Sequence, residues 1–101
     1  MGNNQYTDLW NNYRPVINKL IKEGGGRFQL YKGEFEQRGN RGKYSFSMSI
    51  VNGLVPELSG SAVARDLKTV LDNSDTFRKN AAGKTIIIRL TSSFVLEVSV
   101  A

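Results

Sequence analysis

A chain of 101 residues, 40% apolar and 23% charged, has room for one globular domain with a small core. That composition excludes collagen-like, low-complexity and disordered classes, and the absence of Cys and His excludes disulfide scaffolds, thiolate or Ser-His nucleophiles and zinc sites built on those ligands. The net charge of +5 is concentrated, with five bases against two acids between residues 27 and 51, and raises the potential toward phosphates or an acidic partner.

The first helix is signalled by Thr7 as N-cap, with Asp8 in the first turn where the helix dipole favours an anion. Leu9, Tyr13, Ile17 and Leu20, flanked by Trp10, Val16 and Ile21, recur at helical spacing and predict one apolar stripe. Pro15 has no N–H to donate, so it is expected to kink this helix or to start a second segment. Gly24 can supply a left-handed cap, and Gly24-Gly25-Gly26 reads as a hinge.

A first strand is expected from Arg27 to Gln37. Phe28 and Leu30 fall on one face and Tyr31 and Phe35 on the other, a change of phase that a bulge at Gly33 would accommodate. Residues 38–42, Arg-Gly-Asn-Arg-Gly, then read as a hairpin turn. The second strand, Lys43 to Val51, alternates cleanly: Tyr44, Phe46, Met48 and Ile50 on one face, Ser45, Ser47 and Ser49 on the other.

Asn52-Gly53 predicts a turn, and Pro56 a loop. A second helix, capped by Ser59 or Ser61, carries Ala62, Val63, Leu67, Val70 and Leu71 on its apolar side. Asn73-Ser74-Asp75 interrupts it, and a short helix, capped by Ser74 or Asp75, follows and is stopped by Gly83. Two strands close the chain, Thr85 to Leu90 and Phe94 to Val100, joined by a turn at Thr91-Ser92-Ser93. The expected fold is therefore a single α+β domain over residues 1–101, in α-β-β-α-β-β order, with two helices on one face of a four-stranded, mainly antiparallel sheet. With no long apolar segment and no leader at the polar start of the chain, a cytoplasmic protein without a membrane partner is expected.

Three features bear on function. In the predicted hairpin, Arg27, Lys32, Arg38, Arg41 and Lys43 interleave with Phe28, Tyr31, Phe35 and Tyr44; the cations suit phosphates, and Tyr31 or Phe35 would stack on unpaired bases. That pattern points to a non-catalytic, cofactor-free module for nucleic acid, single strands above all, or for an acidic protein. The second is the open sheet face, where Ser45, Ser47 and Ser49 with Ile87 and Val95 offer a surface for a partner protein or for a homodimer, and where Tyr31 would cluster with the last two. The third is Glu34 and Glu36, two apart on the expected strand and so on one face, as a metal-dependent hydrolase would need. No third acid is evident for such a site. Gly83-Lys84-Thr85 resembles the end of a phosphate-binding loop but precedes a strand and lacks the upstream glycine, and position 78 is Arg. Trp10 and Tyr13, one turn apart, are expected to pack in the core.

Overall fold

The structure, a computed structural model, describes residues 6–38, 44–58 and 61–101. Helix α1 (Thr7–Lys22) leads into strand β1 (Gly25–Gln29) and a five-residue helix α2 (Lys32–Glu36). Strand β2 (Phe46–Val51) precedes helices α3 (Ala62–Asp72) and α4 (Asp75–Ala81), and β3 (Thr85–Leu90) and β4 (Val95–Val100) close the chain. The strands form one antiparallel sheet in the order β1-β4-β3-β2. The α+β class and the helices on one sheet face agree with the sequence pattern, as does the short helix α4 after the second main helix; α2 is the helix that the pattern did not show.

Alternation builds the layers. Met48 and Ile50 of β2, Ile86, Ile88 and Leu90 of β3, and Leu96 and Val98 of β4 are buried beneath Leu9, Trp10, Ile17 and Ile21 of α1 and Val63, Leu67, Val70 and Leu71 of α3. No helix among the described residues is long and apolar enough to cross a membrane.

Two of the expected caps are present. The Ser61 side chain accepts from the Ala64 N–H at 3.3 Å, and the Ser74 side chain from the Phe77 N–H at 3.1 Å. At the start of α1 the cap position is Tyr6 rather than Thr7, and its N–H donates to Asp66 Oδ2 of α3 at 2.8 Å. Trp10 Nε1 donates to the Val63 carbonyl at 2.9 Å, a second tie between the same two helices. Pro15 neither breaks α1 nor opens a new segment: the helix is continuous through its exposed ring, and packing against α3, α4 and the sheet holds the turn that the missing N–H weakens. Gly25 is not a hinge but the first residue of β1. A Cβ there would lie 2.7 Å from the Val98 carbonyl, and its φ of +119° favours glycine, so the close approach of β1 to β4 depends on it.

The segment expected to be a long strand and a hairpin is built otherwise. Only Gly25–Gln29 is strand, and it pairs with β4; β2 lies at the opposite edge of the sheet. The phase change at Tyr31 is a change of period, not a bulge: residues 32–36 turn into a helix with Phe35 as its buried side chain. Gly33 lies under the Tyr31 ring, whose Cε2 and Cζ would be 2.9 Å from a Cβ at that position.

Phe35 sits at the centre of an aromatic cluster, with ring centroids 6.0 Å from Tyr6, 5.7 Å from Trp10, 6.0 Å from Tyr44 and 5.2 Å from Phe94. Phe94 takes part at φ +61°, the left-handed position after the β3–β4 turn that glycine normally fills. Burial of its ring offsets that backbone cost.

Two outcomes are expected. Phe35→Ala should lower unfolding free energy by about 3–5 kcal/mol in urea titrations; a loss below about 1 kcal/mol would show that the cluster is not central. The buried Asp66 carboxyl is raised above 3.8, mainly by desolvation, so the folded chain holds a proton that the unfolded chain has released. Stability from this group therefore falls as pH rises from 3.8 through the folded value. Asp66→Asn keeps an acceptor for the Tyr6 N–H and removes the titration. The stability difference between wild type and variant, from urea midpoints, should fall across that acid range and then level off. A flat or rising difference would contradict the assignment.

Candidate interaction surface

Of the cations expected to form a basic hairpin, the three among the described residues, Arg27, Lys32 and Arg38, lie on different elements and are paired. Arg27 lies on the open face of β1, 3.9 Å from Glu97, which is itself 3.3 Å from Arg89. Lys32 pairs with Glu36 along α2 at 3.7 Å. Arg38 Nη2 donates to Asp8 at 2.9 Å and its Nη1 to the Glu34 carbonyl at 2.8 Å, fastening the end of α2 to the start of α1. Arg41 and Lys43 lie outside the described residues. Tyr31 is 66% exposed, whereas Phe35 is wholly buried and has no face to offer a base. The hairpin over residues 27–44 is thus corrected. Its two strands are at opposite sheet edges, its core aromatic is enclosed, and Arg27, Lys32 and Arg38 each have a carboxylate partner.

Glu34 and Glu36 do not share a face either, because two residues on a helix are about 200° apart. Glu36 faces Lys32, while Glu34 Oε1 accepts the Tyr13 phenol proton. Desolvation and that bond push the Tyr13 pKa up to about 12. Glu34 docks α2 on α1 and Glu36 pairs within α2, and among the described residues no group of three metal-ligating side chains assembles.

What the fold does leave open is the sheet face away from the helices. Two rows cross it. Register places Arg27, Glu97, Arg89 and Ser47 side by side in one row, and Gly25, Ser99, Ile87 and Ser49 in the next. Ser45, Ser47 and Ser49 are exposed, Ile87 is 40% exposed and Val95 is half-buried. Ile87 and Val95 share the face but do not cluster. Val95 pairs with Gln29 at the far end, the charged row runs between it and Ile87, and Tyr31 lies beyond that end of β1.

The apolar row at this end runs from Ile87 to Val51, its diagonal neighbour on β2, and on to Leu54, which bridges Val51 on the outer side of that strand. Val51 continues the outward phase of Ser47 and Ser49, one pair along from Ser49–Ile87. Asn52 and Gly53, at φ +55° and +80°, make the tight turn that pairs Val51 with Leu54, so that both side chains emerge on the same face. Val51 is 56% and Leu54 75% exposed. The signal was present in the sequence: an Asn-Gly turn with an apolar residue on each side aligns those two side chains.

Compared with known protein families, curated proteins and solved structures, the chain matches none of them.

Proposed function

We propose that this chain is a non-catalytic protein-interaction module that associates with a second copy of itself through the open sheet face, at its Val51–Leu54–Ile87 end. The observation that carries this reading is the exposure of those three apolar side chains together, on a face that no described element covers. Their surroundings are Thr85, Ser49 and Ser99, small and uncharged, so two copies meeting there bring no like charges together. Serines also allow the close approach of two stacked sheets, about 10 Å. The Arg27–Glu97–Arg89 row is internally compensated and belongs to the rim.

The face spans six residues of β2 and β3. At about 3.3 Å per residue and about 4.8 Å between strands, it offers roughly 190 Å². That is below the ~800 Å² per partner of a standard stable interface, so the association is weak and reversible. Support for a basic nucleic-acid hairpin is withdrawn with the hairpin itself. A chain without His or Cys has no imidazole or thiolate for catalysis, and both candidate carboxylates are engaged in holding α2.

Sedimentation equilibrium tests the reading. A monomer–dimer equilibrium is expected, with a dissociation constant of roughly 10–500 μM and no weakening at high salt, because apolar contact rather than ion pairing drives it. Ile87→Asp should weaken association at least about tenfold while the monomer stays folded, with a loss of stability of about 1 kcal/mol from the poorer strand former. A chain that stays monomeric at ~1 mM, or a dimer indifferent to Ile87→Asp, would overturn the proposal.

A further inference from the structure

On the opposite side of the molecule, the helical layer contains a cleft of about 560 Å³ between the second half of α1 and α4, within the range of small-molecule sites. Spacing of four along each helix builds its walls: Arg14, Asn18 and Lys22 align on α1, with Lys19 beside them, and Thr76 and Asn80 align on α4.

Two observations there are independent of one another. Asn18 is 8% exposed, placed in the otherwise apolar buried stripe of α1, and its Oδ1 is buried without a hydrogen-bond partner; the Nδ2 of Asn80 is in the same condition. Each amide carries a donor and an acceptor on one fork, so turning either about its axis leaves the same unmet demand. Buried polar groups are normally paired, and two orphans lining one cleft point to a ligand that pairs them.

The charges make the second observation. Arg27, Lys32, Arg38, Lys68, Arg78 and Arg89 all have a carboxylate partner. Among the described residues Arg14, Lys19 and Lys22 have none, as is also true of Lys79 and Lys84, but these three are gathered along the second half of α1 on one cleft. With Glu23 the cleft carries a local charge of +2.

We infer that this cleft binds a small phosphorylated polyol, of the sugar-phosphate class. A phosphate monoester carries about −1.5 to −2 at neutral pH, which matches the excess of cations, and Arg14 supplies the fork that such an oxyanion takes. Sugar hydroxyls both donate and accept. With a turn of the Asn18 and Asn80 side chains toward the cleft they pair both amides, and they donate to the Glu23 carboxylate, which an acceptor-only anion cannot do. None of the cleft residues is aromatic, so it offers no platform for a nucleobase.

The test is a ¹⁵N–¹H NMR titration of the full chain with ribose 5-phosphate, with inorganic phosphate and unphosphorylated ribose as separate arms. Ribose 5-phosphate should shift the side-chain amide signals of Asn18 and Asn80 saturably in the sub-millimolar range. Lys22→Ala, an exposed change that leaves the fold intact, should weaken binding about tenfold. Asn80→Ala should bring ribose 5-phosphate down to the affinity of inorganic phosphate. Inorganic phosphate binding the wild type equally well would overturn the polyol assignment. No saturable shift of either amide up to ~20 mM ligand would overturn the site altogether.

Discussion

The arrangement of this protein depends on one side chain, Phe35. Its ring meets Tyr6 at the entry to α1, Trp10 on α1, Tyr44 just before β2 and Phe94 after the β3–β4 turn, four segments that have no local reason to converge. Bringing them together recovers much apolar area from a short element that could not persist alone, since isolated helices of five residues are unstable in water. Around the ring, the Arg38–Asp8 and Tyr13–Glu34 contacts fix the same helix to α1. Phe94 holds a left-handed backbone for the sake of this packing, a cost of roughly 1–2 kcal/mol.

Topology follows from that anchor. With α2 pinned against α1, the chain leaving β1 cannot double back as a hairpin and reaches the far edge of the sheet before β2 begins. β1 then finds β4 as its neighbour, and Gly25 allows the two backbones their close contact. All helices fall on one side. The molecule is thereby two-sided, with a neutral, partly apolar sheet face and a helical layer whose unpaired cations surround a polar cleft. Among the described residues the bases between 27 and 38 do not form one patch, because they meet Glu97, Glu36 and Asp8 on three different elements.

Much of the fold was legible because period and burial agreed locally. The serine alternation of β2, the Ile86-Ile88-Leu90 phase of β3 and the Ser61 and Ser74 caps all report one-sided burial or a helix start within a few residues. Residues 31–37 were harder. Tyr31 and Phe35 are four apart, which fits both an out-of-phase strand and one helical turn, and Gly33 argues against a helix on propensity alone. Only tertiary packing decides between them. Asn18 was invisible for a different reason: it lies within an apolar stripe, the helix across the cleft from it is some sixty residues away, and a single polar position carries no periodicity. The open face was legible in Ser47, Ser49 and Ile87. Its apolar centre at Val51 and Leu54 needed the turn geometry as well.

The account stands most directly on the pairing of β1 with β4 across the Phe35 cluster, which backbone and ring nuclear Overhauser contacts report. The predicted pattern has Arg27 next to Glu97 and Phe28 next to Leu96, with the Phe35 ring in contact with the rings of Trp10 and Phe94. Contacts from Phe28 or Leu30 to the backbone of residues 44–48, with Phe35 free of Trp10, would restore the hairpin and contradict the architecture described above.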